Sequence, residues 1–233
     1  MTVEETKKLT EDINKADTIR MEKLTEESPK EPKNFLEIEV KYNADDIDRI
    51  KFKDIAQKLN PKNFVYVESY DVYYVREKDA FIRYRMPATN SNGDSTSKRA
   101  ELAFKKKHVA KNNIVRTEVN LRVDSNTPEL VNAFCEGLGY KKNFSIYKMC
   151  DIYVYDDATL VYYSVKDDSG GKYAHFLEIE ASEEMNLGED AAWVIIEKYE
   201  KILAPLGIIA QKRKRLSLFE MYVKPDTKIA EQK

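Results

Sequence analysis

Residues 35 to 42 read Phe-Leu-Glu-Ile-Glu-Val-Lys-Tyr and carry charged side chains at alternate positions. Alternate side chains of a β-strand share a face and lie roughly 6.5 to 7 Å apart, so Glu37, Glu39 and Lys41 would face one side. Two carboxylates suit a divalent cation, and a neighbouring ammonium suits phosphate oxygens. The segment therefore predicts either a site for a cation and a polyanion or the solvent-exposed face of an edge strand.

The same period-two charge recurs further along the chain. The alternating positions are Arg83 and Arg85, Lys105 and Lys107, Arg116, Glu118 and Asn120, then Lys148, and finally Glu178 and Glu180. A solvated face explains any one such strand. Recurrence on several strands favours a barrel interior, where cations would hold phosphate oxygens and glutamates would hold metal.

The elements that must position these residues are mostly strands. Besides the first strand, period-two alternation predicts Phe64–Val75, Ala80–Met86, Arg99–Lys107, Asn113–Arg122, Ser145–Tyr155, Thr159–Lys166 and Lys172–Ala181.

Three helices are predicted between the strands. The first spans Asn43 to Leu59, and the third runs from Glu189 to Ala204 and stops before proline. The second runs from Pro128 to Leu138. Its signals are Thr127 as the N-cap, proline at the first helical position and Gly139 at the end.

Composition limits the class of protein. The 233 residues suffice for one sizeable domain, and 42% hydrophobic content with 15 tyrosines indicates a folded chain. A net charge of −2, from 39 basic and 41 acidic residues, disfavours a surface that coats nucleic acid. Cys135 and Cys150 lack metal-ligand spacing. No apolar run approaches about 18 residues and no signal peptide is evident, so we expect a cytoplasmic protein without membrane contact.

The ends of the chain differ from its centre. Residues 1–33 form a charged extension that is either helical or disordered, and the Ser-Pro-Lys-Glu-Pro segment from Ser28 breaks any helix. Residues 34–222 form the folded domain, and residues 223–233 resemble a second tail.

Seven segments, in chain order, resemble the motifs of the CYTH domain proteins, also known as triphosphate tunnel metalloenzymes. The matching residues are Glu37-x-Glu39-x-Lys41, Asp71-Val72-Tyr73-Tyr74, Ile82-Arg83-Tyr84-Arg85, Leu102-Ala103-Phe104-Lys105, Arg116-Thr117-Glu118, Lys148 and Phe176-Leu177-Glu178-Ile179-Glu180. A basic run at Lys212–Arg215, followed by Ser217, lies where that family often ends with a basic-Ser-aromatic strand. The resemblance covers residues 35 to about 222.

Three departures from the family pattern concern the site. Asn120 replaces an expected carboxylate, and Cys150 replaces an arginine that would grip phosphate with two donors. The aspartate expected on the strand before the last motif has no match, although Ser164, Asp167 and Asp168 lie nearby in the sequence. These changes affect the expected metal count and rate, but not the expected fold.

The resemblance implies an α+β fold that is mainly β. We expect an eight-stranded antiparallel barrel, closed or nearly closed, with about three flanking helices. Its hydrophilic bore would bind a triphosphate together with Mg²⁺ or Mn²⁺. Activities known in the family include hydrolysis of inorganic tripolyphosphate, of thiamine or nucleoside triphosphates and of RNA 5′-triphosphate ends, and synthesis of cyclic AMP by class IV adenylyl cyclases.

The resemblance also assigns expected roles to individual residues. The expected metal ligands are Glu37, Glu39, Glu178 and Glu180. The expected catalytic groups are Lys41, Glu118 and Glu178. The expected phosphate-binding residues are Lys41, Arg83, Arg85, Lys105, Lys107, Arg116, Lys148 and Arg215.

Three functions remain open from the sequence. A metal-dependent phosphohydrolase leads, because Glu178 and Glu180 preserve the second carboxylate pair. A class IV-like cyclase is the alternative that Asn120 and the Asp-Ile-Tyr-Val segment from Asp151 favour. A polyphosphate or nucleotide binder without activity would account for Cys150 and the missing aspartate. The expected partner is a small-molecule triphosphate, and the only nucleic acid expected is an RNA 5′-triphosphate end. The protein itself is expected to be a monomer or a homodimer.

Overall fold

The computed structural model describes residues 36–77, 80–88, 100–107, 115–168, 170–182, 189–214 and 216–224. The extension predicted over residues 1–33 and the chain from residue 225 onward lie outside the described residues. The strands are β1 (Leu36–Asn43), β2 (Asn63–Glu77), β3 (Ala80–Pro87), β4 (Glu101–Lys107), β5 (Val115–Arg122), β6 (Lys141–Val154), β7 (Ala158–Asp167), β8 (Ala174–Ala181) and β9 (Arg213–Lys214). The helices are α1 (Arg49–Lys58), α2 (Pro128–Gly137), α3 (Glu189–Leu203) and α4 (Leu218–Tyr222).

The strands form a closed antiparallel barrel. Their order is β5-β4-β3-β2-β6-β7-β8-β1, with β9 added beside β1, and pairing of β1 with β5 closes the ring. In this pairing Leu36 lies opposite Thr117 and Glu37 opposite Arg116. The predicted eight-stranded, mainly β fold is therefore confirmed, with a short extra strand.

Alternation along each strand separates two environments. On the outer face, Ile38, Val40 and Tyr42 of β1 are buried in a cluster that also contains residues of α1 and α3. The outer faces of β2, β3 and β4 belong to a second cluster, which includes Val131 and Cys135 of α2. Because the helices cover these apolar faces, the charged alternate positions are left facing the barrel interior.

The predicted helix ends agree with the structure for α2 and differ for α1. The hydroxyl of Thr127 accepts from the backbone N–H of Leu130 at 3.4 Å, and Gly139 has a left-handed φ of 81°. The start predicted for α1 at Asn43 is wrong, because Asn43 still pairs with β8. Asp48 begins that helix instead by accepting from two backbone N–H groups of the first turn. No helix within the described residues has the length and apolar character to cross a membrane.

The C-terminal segment closes one end of the barrel. Its basic run forms β9 only over Arg213–Lys214, and Ser217 then caps the short helix α4 instead of continuing a strand. Leu218 and Phe219 of α4 join an aromatic-rich cluster inside the barrel, where the Phe219 ring stacks on Phe81 at 4.5 Å between centroids. We call this cluster the plug; it consists of inner residues of β2, β3, β6, β7 and β8 together with α4. The opposite end of the barrel is called the mouth.

Candidate active site

A polar cavity of about 310 Å³ lies inside the barrel next to the plug. Every described residue that the sequence assigned to the site lines it, apart from Lys107. The lining residues from that prediction are Glu37, Glu39, Lys41, Arg83, Arg85, Lys105, Arg116, Glu118, Lys148, Glu178 and Glu180. Lys107 donates to Glu220 of α4 at 2.9 Å, so its phosphate contact stays a prediction, and Arg215 lies outside the described residues.

Strand register brings these charged groups together. On β1 and β8, Lys41 lies opposite Glu178, and Glu39 lies opposite Glu180. On β4 and β5, Lys105 lies opposite Glu118. Cross-strand neighbours on one face are separated by about 5 Å between Cβ atoms, which lets long side chains form direct contacts.

Lys105 joins two carboxylates from different strands. Its Nζ atom lies 2.8 Å from both oxygens of Glu37 and 2.6 Å from Glu118. Burial raises the pKa of Glu37, and the nearby Lys105 offsets this only partly. Burial also acts to raise the pKa of Glu118, but Lys105 and Arg83 together lower it below its usual value.

A second group centres on Glu178. It accepts from Lys41 Nζ at 2.7 Å and from the Tyr163 hydroxyl at 2.7 Å. Burial opposes ionisation, but the charges of Lys41 and Lys148 and the hydrogen bonds from Lys41 and Tyr163 together outweigh it and lower the pKa of Glu178 to about 2. Beside this group, Arg116 Nη1 lies 3.2 Å from Glu39. Glu178 is therefore ionised at neutral pH, and cations hold both carboxylates in place.

Two arginines of β3 extend the charged surface toward the mouth. Arg85 forms two hydrogen bonds of 2.8 Å with the fully buried Asp71. Burial opposes the charge of Asp71, but the Arg85 guanidinium holds the pKa of that carboxyl well below its usual range. Arg83 bonds Glu101 at 2.7 Å, while its buried Nε atom has no hydrogen-bond acceptor among the described residues.

Lys148 and Cys150 lie on the β6 wall. The Lys148 Nζ atom lies 3.9 Å from the centre of the Tyr163 ring, which holds the ammonium inside the cavity by a cation–π contact. Cys150 is a buried free thiol, and burial raises its pKa. It adds no positive charge to the wall where the family pattern has an arginine.

The comparisons with known proteins agree with this architecture. Neither the scan of protein-family models nor the search of curated proteins finds a match. A solved protein from Pyrococcus horikoshii is 22% identical, with a TM-score of 0.62, over 81% of this chain and 99% of the other. One from Pyrococcus furiosus is 23% identical, with a TM-score of 0.58, over 79% and 98% of the two chains.

A proposed adenylate cyclase from Vibrio parahaemolyticus has a TM-score of 0.57 at 14% identity, over 80% of this chain and 97% of the other. The chain has the triphosphate tunnel, or CYTH, fold. At these identities the likeness concerns the fold alone.

The carboxylates of this tunnel fold suit a hard divalent cation, although they are not preassembled as ligands. No group of three or more carboxylate, histidine or cysteine side chains forms a metal site within the described part of the chain. Burial, with Glu37 and Glu39 nearby, raises the pKa of Glu180 well above its usual range. Glu39 and Glu180 lie opposite each other on neighbouring strands, and two carboxylates in this arrangement repel when both are charged. A cation bound by their oxygen atoms would reduce that repulsion. The residues present therefore fit a hard divalent cation bound by oxygen donors.

Several residues of the site were not predicted. Asp71, Glu101 and Tyr163 hold Arg85, Arg83 and Glu178 in position. Asp71 belongs to a recognised motif and alternates with Tyr73, which lines the cavity. Its inward direction was therefore readable from the sequence, whereas its pairing with Arg85 was not.

The residues considered for the missing aspartate do not line the cavity. Ser164 lies 2.8 Å from His175 Nδ1, and Asp168 accepts from Ser145. The inner β7 positions opposite Glu180 and Glu178 are occupied by Thr159 and Val161. This wall of the tunnel fold therefore lacks a carboxylate at these positions.

Proposed function

We propose that this protein is a divalent-metal-dependent triphosphatase that removes the terminal phosphate of a triphosphate inside the barrel. The observation that carries the proposal is the convergence of cations from five strands on one cavity. Those residues are Lys41, Arg83, Arg85, Lys105, Arg116 and Lys148. A polyphosphate carries enough negative charge to pair with several convergent cations. Its oxygen atoms also suit the paired donors of the guanidinium groups.

The ion pairs would rearrange when a triphosphate binds. Lys105 and Arg116 contact Glu37 and Glu39, respectively, and each could exchange a carboxylate for a phosphate oxygen. The carboxylates released in this way would become available to a cation. Glu37, Glu39, Glu178 and Glu180 would hold Mg²⁺ or Mn²⁺, which when bound neutralises phosphate charge and lowers the pKa of a coordinated water.

The remaining residues would position the reacting groups. Glu118, which Lys105 and Arg83 keep ionised, would orient a water molecule. Lys41 would hold a phosphate oxygen while remaining beside Glu178, and that neighbour would keep the ammonium charged. Positioning and electrostatic stabilisation are the main contributions a protein makes to phosphoryl transfer.

A class IV-like cyclase is the second candidate. Asn120, rather than a carboxylate, lines the cavity near the mouth. At this position the site therefore differs from the one expected of a hydrolase, and this difference favours the cyclase. A cyclase would direct the ribose 3′-hydroxyl to the α-phosphorus, whereas a hydrolase directs water to the terminal phosphorus. A binder without turnover is the third outcome.

Purified protein incubated with tripolyphosphate, ATP or 5′-triphosphate RNA, each with Mg²⁺ or Mn²⁺, distinguishes these functions. We expect metal-dependent release of orthophosphate from at least one substrate, abolished by EDTA. Cyclic AMP with pyrophosphate would identify a cyclase instead. Tight binding with neither product would identify a binder.

A further inference from the structure

An apolar stripe lies exposed along α2, on the outside of the barrel. Leu130, Phe134 and Leu138 follow one another at four-residue spacing and are 59%, 54% and 47% exposed. Residues four apart lie on one face of a helix, so these three side chains are neighbours. The residues that α2 buries against the barrel are different ones, Val131 and Cys135. The helix therefore has two apolar faces, and the barrel covers only one of them.

The apolar part of α2 is wider than packing on the barrel requires. At about 100° per residue, the apolar positions from Ala133 through Leu130 to Cys135 cover an arc of about 200°. A stripe of about 100° is typical of a helix that packs one face against a core. The polar residues Glu129, Asn132 and Glu136 occupy the rest of the circumference. A contiguous exposed apolar strip with a polar border is the usual mark of an interaction surface.

Gly137 leaves a notch in the exposed stripe. It is the last residue of α2, and a Cβ atom added there would have no heavy atom within 4 Å. Glycine is a poor helix former, and Gly139, with its φ of 81°, already supplies the left-handed residue that ends this helix. The described part of the chain therefore gives no reason for glycine at 137. Close approach of a second chain would give one, because glycine lets another backbone or side chain come near.

The stripe is complementary in shape to itself. Its bulky side chains include Leu130 and Phe134, and its small ones are Ala133 and Gly137. A two-fold axis that set two α2 helices antiparallel would place Leu130 of each copy beside Gly137 of the other, and Phe134 beside Ala133. An interface about a two-fold axis requires this self-complementarity, because each copy offers the same surface.

The charges around the stripe favour the same arrangement. Glu129 lies in the first turn of α2. Cations lie at the other end, where Arg76 donates to the Leu138 carbonyl at 3.2 Å and Lys141 and Lys142 are exposed at the start of β6. Antiparallel helices would bring the acidic end of each copy to the basic end of the other, whereas parallel helices would place like charges together.

We propose that this stripe is a homodimer interface, and that α2 of a second copy packs on it in antiparallel orientation. The inference does not depend on the proposed triphosphatase activity. One ten-residue helix from each copy forms a smaller interface than the roughly 1,600 Å² of a standard complex, so the dimer should be weak, with a Kd in the micromolar range.

Sedimentation velocity of the full chain, from about 1 µM to about 300 µM, tests the proposal. The mass should rise with concentration from 27.1 kDa toward twice that value. Phe134→Asp should weaken association at least about tenfold, because it puts a charge at the centre of the interface. Val194→Asp changes an equally exposed apolar residue of α3 and is the matched control, which should leave Kd within about twofold.

Gly137→Leu distinguishes a fitted interface from a surface that is merely apolar. The added side chain enters open space in one copy and suits a helix, so thermal unfolding at low concentration should occur no lower than in the wild type. It would fill the notch, however, and should weaken the dimer about tenfold. Glu136→Leu adds the same side chain on the polar side of α2 and should not weaken it.

Three results would overturn the proposal. A mass that stays at 27.1 kDa at every concentration would leave the stripe to another protein or to residues 1–33 of the same chain. A dimer that Phe134→Asp leaves intact would be held by another surface. Tighter association of Gly137→Leu than of the wild type would show that added apolar area, and not the notch, drives association.

Discussion

The Nζ atom of Lys105 lies 2.8 Å from both carboxylate oxygens of Glu37, inside the barrel. Both side chains are buried, and the same ammonium also contacts Glu118. One ammonium therefore contacts two carboxylates from different strands. The residue proposed to bind phosphate is also one that the fold requires, so its substitution should affect stability as well as activity.

Lys105→Met should lower the free energy of unfolding by about 3 to 5 kcal/mol, because it leaves buried carboxylates without their cation. Lys106→Met is the matched control, since Lys106 is exposed on the opposite face of the same strand. The control should change stability by less than about 0.5 kcal/mol. Urea unfolding of both variants measures the difference. Equal effects would show that the Lys105 contacts contribute little.

Glu39→Gln should abolish metal-dependent turnover while preserving the fold. It keeps the side-chain volume but removes the charge of a proposed metal ligand opposite Glu180. Even changes to groups behind a metal ligand commonly cost 10- to 100-fold, so we expect kcat/KM to fall by at least about 100-fold. Glu136→Gln, on the exposed surface of α2, is the control. Unchanged turnover in Glu39→Gln, with circular dichroism like the wild type, would remove Glu39 from the site.

The Asp71–Arg85 pair should make stability depend on pH. The pKa of Asp71 is lower in the folded state than the roughly 3.9 of an unfolded aspartate, so its ionised form stabilises the fold. This contribution is complete above about pH 4 to 5 and is lost as the pH falls toward the folded pKa. The difference in unfolding free energy between wild type and Asp71→Asn should therefore be about 3 to 5 kcal/mol at pH 7 and shrink below pH 4.

Urea unfolding of wild type and Asp71→Asn at several pH values between 7 and 3 measures this dependence. Asp54→Asn, at an exposed position of α1, provides the comparison. A difference between wild type and Asp71→Asn that stayed constant across that range would contradict the assigned role of the pair.

Phe219→Ala should destabilise the plug. The ring stacks on Phe81 and is largely buried within the barrel, so its loss creates a cavity that costs about 3 to 5 kcal/mol. Leu216→Ala changes an exposed side chain just before α4 and should have little effect. Thermal unfolding compares the two. Similar melting temperatures for both variants would indicate that α4 does not close the barrel in solution.

The sequence determined much of the fold because alternation is a local property. Glu37, Glu39 and Lys41 share a face in any extended chain, whatever surrounds it. The caps of α2 were equally local, since Thr127 and Gly139 act within a few residues of the helix ends. The start of α1 was misplaced because pairing of Asn43 with β8 outweighed the local helical pattern.

Only the tertiary structure decided which face was inside and which charges met. Lys105 finds Glu37 because β1 pairs with β5 and closes the ring, a contact between segments far apart in the chain. The helical plug was also hidden from the sequence, because Ser217 and Glu220 form a capping box in a segment whose basic run resembled a strand. Local sequence sets the direction of a side chain along its strand, whereas its neighbours across the barrel depend on register and closure, which are long-range properties of the whole chain.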